Sequence, residues 1–322
     1  MTILVTGAAG FIGFHVCQAL LARNLEIIGV DELTPYYDPR LKSTRLEILQ
    51  TRAGFSFERR SVADREAIFA LVDARPEIRC IVHLAAQAGV RYSLEDPFAY
   101  VNANVMGQTV MLEACRRLDR LEHFVYASSS SVYGGNMKVP FSVEDRVDHP
   151  VSPYAATKRA AELMAECHAP LYGLPATGLR FFTVYGPYGR PDMAYYGFAR
   201  AILEGRPIEV YNHGRMKRDF TWIDDIVAGV LAALDRPPEA GTHRLYNLGN
   251  NRTETLMRFI EVLEKACGAK AERIFTDMKP GDVVETYADI EASRRDLGFD
   301  PKTTIDDGLP RFVDWLRDYR GL

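Results

Sequence analysis

The sequence predicts an α/β protein whose core is a doubly wound parallel sheet. Three observations carry that expectation. Short apolar runs rich in β-branched residues alternate with amphipathic, helix-length stretches through the first half of the 322-residue chain. The first run, Thr2–Thr6, passes at once into Gly7-Ala8-Ala9-Gly10-Phe11-Ile12-Gly13 and then into a helical pattern. Later runs end in clusters of small or hydroxylic residues, where open α/β sheets place their ligands.

Composition narrows the class. The chain is 47% hydrophobic and 25% charged, ordinary for a soluble globular protein, and its length suits about two lobes. A formal charge of −4 gives no sign of a nucleic-acid or membrane surface. No apolar run reaches the roughly 18 residues of a membrane span, and no secretory n-region precedes the first strand. The five cysteines, Cys17, Cys80, Cys115, Cys167 and Cys267, are scattered as reduced thiols would be in a cytoplasmic protein. The seven histidines form no ligand cluster, so no metal site is expected.

Taken in order, Thr2–Thr6 suits a buried strand, and a helix is expected from about Phe14 to Arg23. Gly7, Gly10 and Gly13 at the turn between them let backbone approach a pyrophosphate, which a helix N-terminus attracts. The second strand, Glu26–Val30, ends in Asp31, whose carboxylate can accept from adenosine ribose hydroxyls and would repel a 2′-phosphate. The register of strand, glycines, helix, strand and acid predicts NAD rather than NADP, in a Rossmann-type domain.

Helices are expected over Leu41–Gln50 and Asp64–Ala74, with a third strand, Phe55–Arg59, leading to Ser61 and Val62 near the adenine. Cys80–Leu84 reads as a buried strand, and the small residues Ala85 and Ala86 after it leave room for a flat ligand. His83 reads as a satisfied core histidine. Asp96–Leu118 reads as one long helix whose wide apolar surface implies burial on two sides, in a subunit interface or within the chain. The strand Phe124–Ala127 runs into Ser128-Ser129-Ser130-Ser131, hydroxyls placed to meet a substrate.

Ser152-Pro153-Tyr154-Ala155-Ala156-Thr157-Lys158 opens the next helix, with Ser152 as its cap and Pro153 at its first position. Tyr154 and Lys158, four apart, share one face. A phenol titrates near ~10 and needs nearby positive charge to act as a base at neutral pH, which Lys158 can supply. After Pro175–Phe181 the alternation loosens. Residues 1–180, with about 221–250 returning to them, form the dinucleotide-binding domain, and 181–322 form mainly a smaller C-terminal substrate-binding lobe. Within it a helix is expected over Ala194–Glu204. Arg190, Arg215, Lys217 and Arg218 lie in its loops as candidate anion contacts or as solvated charge.

Several longer motifs resemble the extended short-chain dehydrogenase/reductase family and, within it, the nucleotide-sugar 4-epimerases that act on UDP-glucuronate. They are Arg180–Met193 (RFFTVYGPYGRPDM), Asn212–Thr221 (NHGRMKRDFT), Ala88–Ser93 (AGVRYS) and Tyr36–Pro39 (YYDP). The resemblance runs over essentially the whole chain. It implies NAD as cofactor, held by Gly7, Gly10, Phe11, Ile12, Gly13, Asp31, Ser61, Val62, Leu84, Ala85, Ala86 and Asn104 together with Tyr154 and Lys158. It implies Tyr154 as catalytic base, Lys158 as its electrostatic partner and cofactor-ribose ligand, and Ser129 as the hydroxyl nearest sugar O4. Ser130, Ser131 and Thr183 are implied to face the sugar and its carboxylate. Arg91, Arg190, Arg218, Tyr211 and Asp282 are implied to bind the UDP-sugar, and a homodimer is implied as the assembly. The chain departs from the family at Ser61, where an adenine-contacting aspartate is usual, at Pro153 and Val284, and at Tyr195-Tyr196-Gly197, which replaces a more aliphatic run.

The activity so implied is 4-epimerisation of UDP-glucuronate through a transient 4-keto sugar, without net oxidation. A UDP-glucose/UDP-galactose epimerase, a UDP-glucuronate decarboxylase and a non-catalytic NAD-binding regulator are the alternatives. The Ser128–Ser131 loop lacks the acid that decarboxylases and 4,6-dehydratases carry there.

Overall fold

A computed structural model describes residues 1–321. Its centre is a seven-stranded sheet in which every pairing is parallel. The strands are β1 (Thr2–Thr6), β2 (Glu26–Asp31), β3 (Phe55–Arg59), β4 (Ile78–His83), β5 (His123–Ser129), β6 (Ala176–Phe181) and a final strand, His243–Leu248. Their spatial order is His243–Leu248, β6, β5, β4, β1, β2, β3. The winding reverses between β1 and β4, and ligands collect in the crevice beyond the carboxyl ends at such a switch point.

Alternation of side chains across β1 explains the two layers. Ile3 and Val5 join Phe14, Val16 and Leu20 on one face, while Leu4 joins Ile28, Ile81, Val110 and Phe124 on the other. A sheet covered on both faces needs apolar residues at every position, and all five residues of β1 are buried. Each such side chain contributes about 1.5–3 kcal/mol by leaving water.

The helices begin where capping permits. Helix α1 spans Phe11–Ala22, three residues earlier than periodicity predicts, because Gly10 N–H donates to Gly7 O at 2.9 Å and closes the turn inside the glycine motif. Helix α2 (Pro39–Gln50) is capped by Asp38 and α3 (Arg65–Asp73) by Asp64. The long helix expected over Asp96–Leu118 is instead α4 (Tyr92–Glu95), α5 (Pro97–Tyr100), a π-helical stretch Val101–Met106, and α6 (Gly107–Cys115). Within that stretch buried Asn104 turns inward, which hydrophobic periodicity does not register. Helix α7 (Pro153–Tyr172) is capped by Ser152, which accepts from Ala155 N–H at 3.1 Å, and closes at left-handed Gly173. No described helix is long and apolar enough to cross a membrane.

Beyond β6 the chain builds three small pairings: Thr183–Tyr185 with Phe220–Trp222, Ile208–Val210 with Arg273–Phe275, and Lys217–Arg218 with Glu254–Thr255. The helix Ile223–Leu234 and the strand His243–Leu248 then return to the large sheet. Buried Asp219 ties these segments together, accepting from Asn250 N–H at 2.6 Å and Ala288 N–H at 3.1 Å. Burial pushes its carboxyl up to about 6.

Candidate active site

A cavity of about 890 Å³ lies across the carboxyl ends of β1, β2, β4 and β5 and extends under the small pairings. Its dinucleotide end is shaped by glycine. At Gly13 a Cβ would lie 2.0 Å from Gly7 O, and at Gly7 (φ +72°) it would lie 2.7 Å from Ala85 N. Gly10 N-caps α1 without a side chain, so the first-turn amides stay available to an anion. Asp31 carboxylate accepts from Ala9 N–H at 3.1 Å and Leu33 N–H at 2.8 Å, which fixes it at the end of β2. These features fit a dinucleotide with its pyrophosphate over α1.

Phe11, Ile12, Val62, Leu84, Ala85 and Ala86 line this end. Ser61 does not; its neighbours Arg60 and Val62 form the wall there. Asn104 is also set back from the cavity. It accepts from Gln87 N–H at 2.9 Å and donates to Gln87 O at 3.0 Å and Thr157 Oγ1 at 3.0 Å, so it bridges the small-residue segment to α7.

Tyr154 enters the cavity from the first turn of α7, its ring edge-on to Tyr100 at 5.9 Å. Burial raises its phenol above the ordinary value, opposed by the nearby Ser129 hydroxyl and by the charge of Arg190. Lys158, the expected source of positive charge, donates its ammonium to Ala127 O at 2.9 Å, and burial lowers it to about 8. Ser129 Oγ accepts from Ser131 N–H at 3.1 Å and donates to Ser131 Oγ at 3.2 Å, which orders the loop. Ser130 and Thr183 also line the cavity. Arg190 forms a two-pronged pair with Asp192, Nε to Oδ1 at 3.1 Å and Nη2 to Oδ2, and Tyr36 Oη donates to the same Oδ2 at 3.1 Å.

The far end is built by Arg91, Tyr211, Arg218 and Asp282. Arg91 donates to Asp282 Oδ2 at 3.1 Å and lies 4.4 Å over the Tyr211 ring, with Lys279 at 5.2 Å from the same ring. Arg218 donates to Lys217 O and Val284 O, and burial lowers its guanidinium. All nine predicted sugar-nucleotide residues thus line one cavity with Tyr154 and Lys158.

Three buried groups escaped sequence reasoning. Glu162 accepts from Arg180 Nε at 2.8 Å, from Arg180 Nη2 at 2.9 Å and from Ser128 Oγ at 2.6 Å, so Ser128 is committed to a buried ion pair. Arg180 continues through the Tyr133 hydroxyl at 3.0 Å to Asn247, bracing the serine loop from behind. Arg45, fully buried on α2, donates to Ala9 O at 2.9 Å and to Tyr188 O, joining the glycine turn to the loop before Arg190. Only the i, i+4 spacing that places Glu162 one turn after Lys158 could have flagged any of them. His83 is buried and bonded to Thr6 Oγ1 at 2.7 Å.

The model of the NAD dependent epimerase/dehydratase family matches residues 3–249. The chain belongs to that family. Among its relatives, UDP-glucuronate 4-epimerase 1 of Arabidopsis thaliana is 45% identical, the match covering 100% of this chain and 78% of that one. A probable UDP-glucuronate 4-epimerase of Rhizobium meliloti is also 45% identical, over 99% and 98% of the two chains. The crystal structure of UDP-glucuronic acid 4-epimerase from Bacillus cereus, in complex with UDP-glucuronic acid and NAD, superposes with a TM-score of 0.92 at 35% identity. That match covers 99% of this chain and 100% of that one. Gly7, Asp31 and Tyr154 line one cavity, so the glycine turn and the phenol open onto the same space.

Proposed function

We propose that the protein interconverts UDP-glucuronate and UDP-galacturonate by inverting C4 through a transient 4-keto sugar. The observation that carries this reading is that Tyr154, under the influence of Ser129 and Arg190, shares one cavity with the dinucleotide cradle and the Tyr211 cluster. The names of the relatives and of the Bacillus cereus structure support the same substrate.

The glycine turn, Asp31 and Lys158 would hold NAD, which supplies hydride acceptance and return at C4, and the 4-keto sugar must turn between the two transfers to present its opposite face. Tyr154 removes the O4 proton, with Ser129 donating to or accepting from O4 as the hydroxyl becomes a carbonyl. Lys158 holds positive charge at the base of the site, one helical turn from the phenol. The uracil lies against Tyr211, and Arg91 and Arg218 meet the diphosphate. Ser130, Ser131, Thr183 and Arg190 hold the C5 carboxylate. In the keto intermediate that carboxylate belongs to a β-keto acid, and fixing it out of line with the carbonyl π-system prevents loss of CO₂.

Residues 181–322 would supply most of the sugar-nucleotide contacts. A cytoplasmic homodimer fits this reading. Phe98, Val101 and Met106 are 82%, 52% and 51% exposed, and Leu163 on the helix packed against them is 50% exposed; exposed apolar side chains on packed helices suit a second copy.

The test is incubation with UDP-glucuronate, followed by NMR of the sugar and of CO₂. UDP-galacturonate without a UDP-pentose is the expected result. A UDP-pentose would make the protein a decarboxylase, and turnover of UDP-glucose alone would remove the carboxylate from the reading.

A further inference from the structure

Arg190 does not face the cavity as a free cation. Its Nε–Nη2 edge, the edge that grips a carboxylate in parallel bonds, is already taken by Asp192. The pair is largely withdrawn from water, with side-chain exposures of 21% and 25%. Asp192 is itself fixed, since Tyr36 Oη donates to it at 3.1 Å and the Tyr36 ring packs 5.1 Å from that of Tyr92. Burial and the Asp192 charge push the Tyr36 phenol up to about 12, so it stays a neutral donor. The backbone is shaped around this contact. At Gly89 (φ +104°) a Cβ would come 2.5 Å from Tyr36 Oη and 3.6 Å from Arg190 Nη2. Arg190, Asp192 and Tyr36 all line the cavity that holds Tyr154.

We propose that Asp192, held by the Tyr36 hydroxyl, is a specificity-determining residue that caps one edge of Arg190 and so sets how strongly the sugar subsite prefers a carboxylate to a neutral hydroxymethyl group. This rests on the reading that the sugar lies between Tyr154 and Arg190. With Asp192 ionised the pair carries no net charge, and the substrate meets only the Nη1 side of the guanidinium. A neutral hexose then leaves no uncompensated buried cation behind, and a uronate gains less than a bare arginine would give it. Asp192 thus acts as a positioning residue through Arg190. The charged and titratable groups acting on Arg190 are Asp192, Tyr36 and Tyr154, with Lys42, Tyr100 and Tyr195 also within its field, and those acting on Tyr154 are Ser129 and Arg190. Removing the Asp192 charge therefore also strengthens the hold of Arg190 on the phenolate.

The test compares wild type with Asp192→Asn, both loaded with NAD. Calorimetry gives the affinities of UDP-glucuronate and UDP-glucose, which do not depend on turnover. In the variant the ratio favouring UDP-glucuronate is expected to rise on the order of tenfold, the scale of one hydrogen bond to a charged group. The acid limb of kcat/KM for whichever sugar is turned over is expected to move down by roughly half a pH unit. Tyr36→Phe keeps the ring and loses the bond, and should move the ratio the same way by less. An unchanged or reduced ratio in both variants, with the limb in place, overturns the proposal and shows Asp192 to be structural only. Failure of wild type to invert UDP-glucuronate would defeat the proposed function alone, because the affinity ratio is still read.

Discussion

Lys158 donates its ammonium to the carbonyl of Ala127 at 2.9 Å, two residues before Ser129 on the neighbouring strand. The contact anchors the end of β5 to the opening turns of α7, the first of which carries Tyr154. It also leaves the lysine 5% exposed, where burial drags it from an ordinary 10.5 to about 8.

That drop is worth about 3 kcal/mol against folding at neutral pH. Because the folded value lies below the unfolded one, the full cost applies below pH 8, lifts as pH rises from 8 towards 10.5, and is gone above. Urea unfolding of NAD-free wild type against Lys158→Met at pH 7.5 and 9.5 should show wild type gaining on the variant by about 2 kcal/mol. A gap that does not change with pH would mean that the amine is not desolvated as the structure places it.

Tyr154→Phe keeps the ring against Tyr100 and removes only the hydroxyl. Turnover should fall on the order of 10² to 10⁴-fold, while NAD content and UDP-sugar affinity stay near wild type. These are measured by absorbance of the purified protein and by calorimetry. Retention of rate would move the acid–base role to another residue.

Gly13→Ala puts a methyl carbon 2.0 Å from Gly7 O, a backbone atom with no room to yield. The expected cost is about 1–3 kcal/mol of stability and loss of NAD binding, because the turn that presents the α1 amides opens. Thermal unfolding with and without NAD reads both. A normal NAD-induced rise in Tm would show that the cradle does not need this close approach.

Glu162→Gln breaks the pair with Arg180, which is 1% exposed on its side chain. An uncompensated buried guanidinium costs about 3–5 kcal/mol. Burial raises the Glu162 carboxyl, but the bonds and charge of Arg180, with the bonds from Ser128 and Arg159, outweigh it and the net shift is downward. The pair's contribution is therefore present above about pH 4.5 and lost as pH falls through the lower folded value. Denaturation at pH 7 should register most of that cost, and at pH 3 the gap between wild type and variant should narrow.

What the sequence could reveal followed from periods and turns. The unbroken apolar run of β1, the glycine turn and the Ser152 cap are each set by a few adjacent residues, so they were legible. Ser129 was placed at the ligand crevice by its position at the end of β5, whereas Tyr154 and Arg190 were joined to it only by what the family resemblance implies. Arg45, Glu162 and Arg180 were hidden because each acts on backbone or charge far along the chain, such as Tyr188 O for Arg45, while Asn104 was named but its bonds to Gln87 and Thr157 were not legible. The break in the helix near Asn104 was hidden for the same reason: a polar side chain turning inward leaves no trace in an apolar stripe. The bond from Lys158 to Ala127 O was not legible, since spacing on a helix says which face a group shares and not which neighbour it meets.

Arg45 couples two halves of the molecule that an engineer would wish to treat as modules. One guanidinium holds Ala9 O beside the cofactor turn and Tyr188 O two residues before Arg190. Transplanting the 186–193 loop from a relative to change the sugar accepted would therefore also perturb the grip on the dinucleotide, unless α2 travels with the graft.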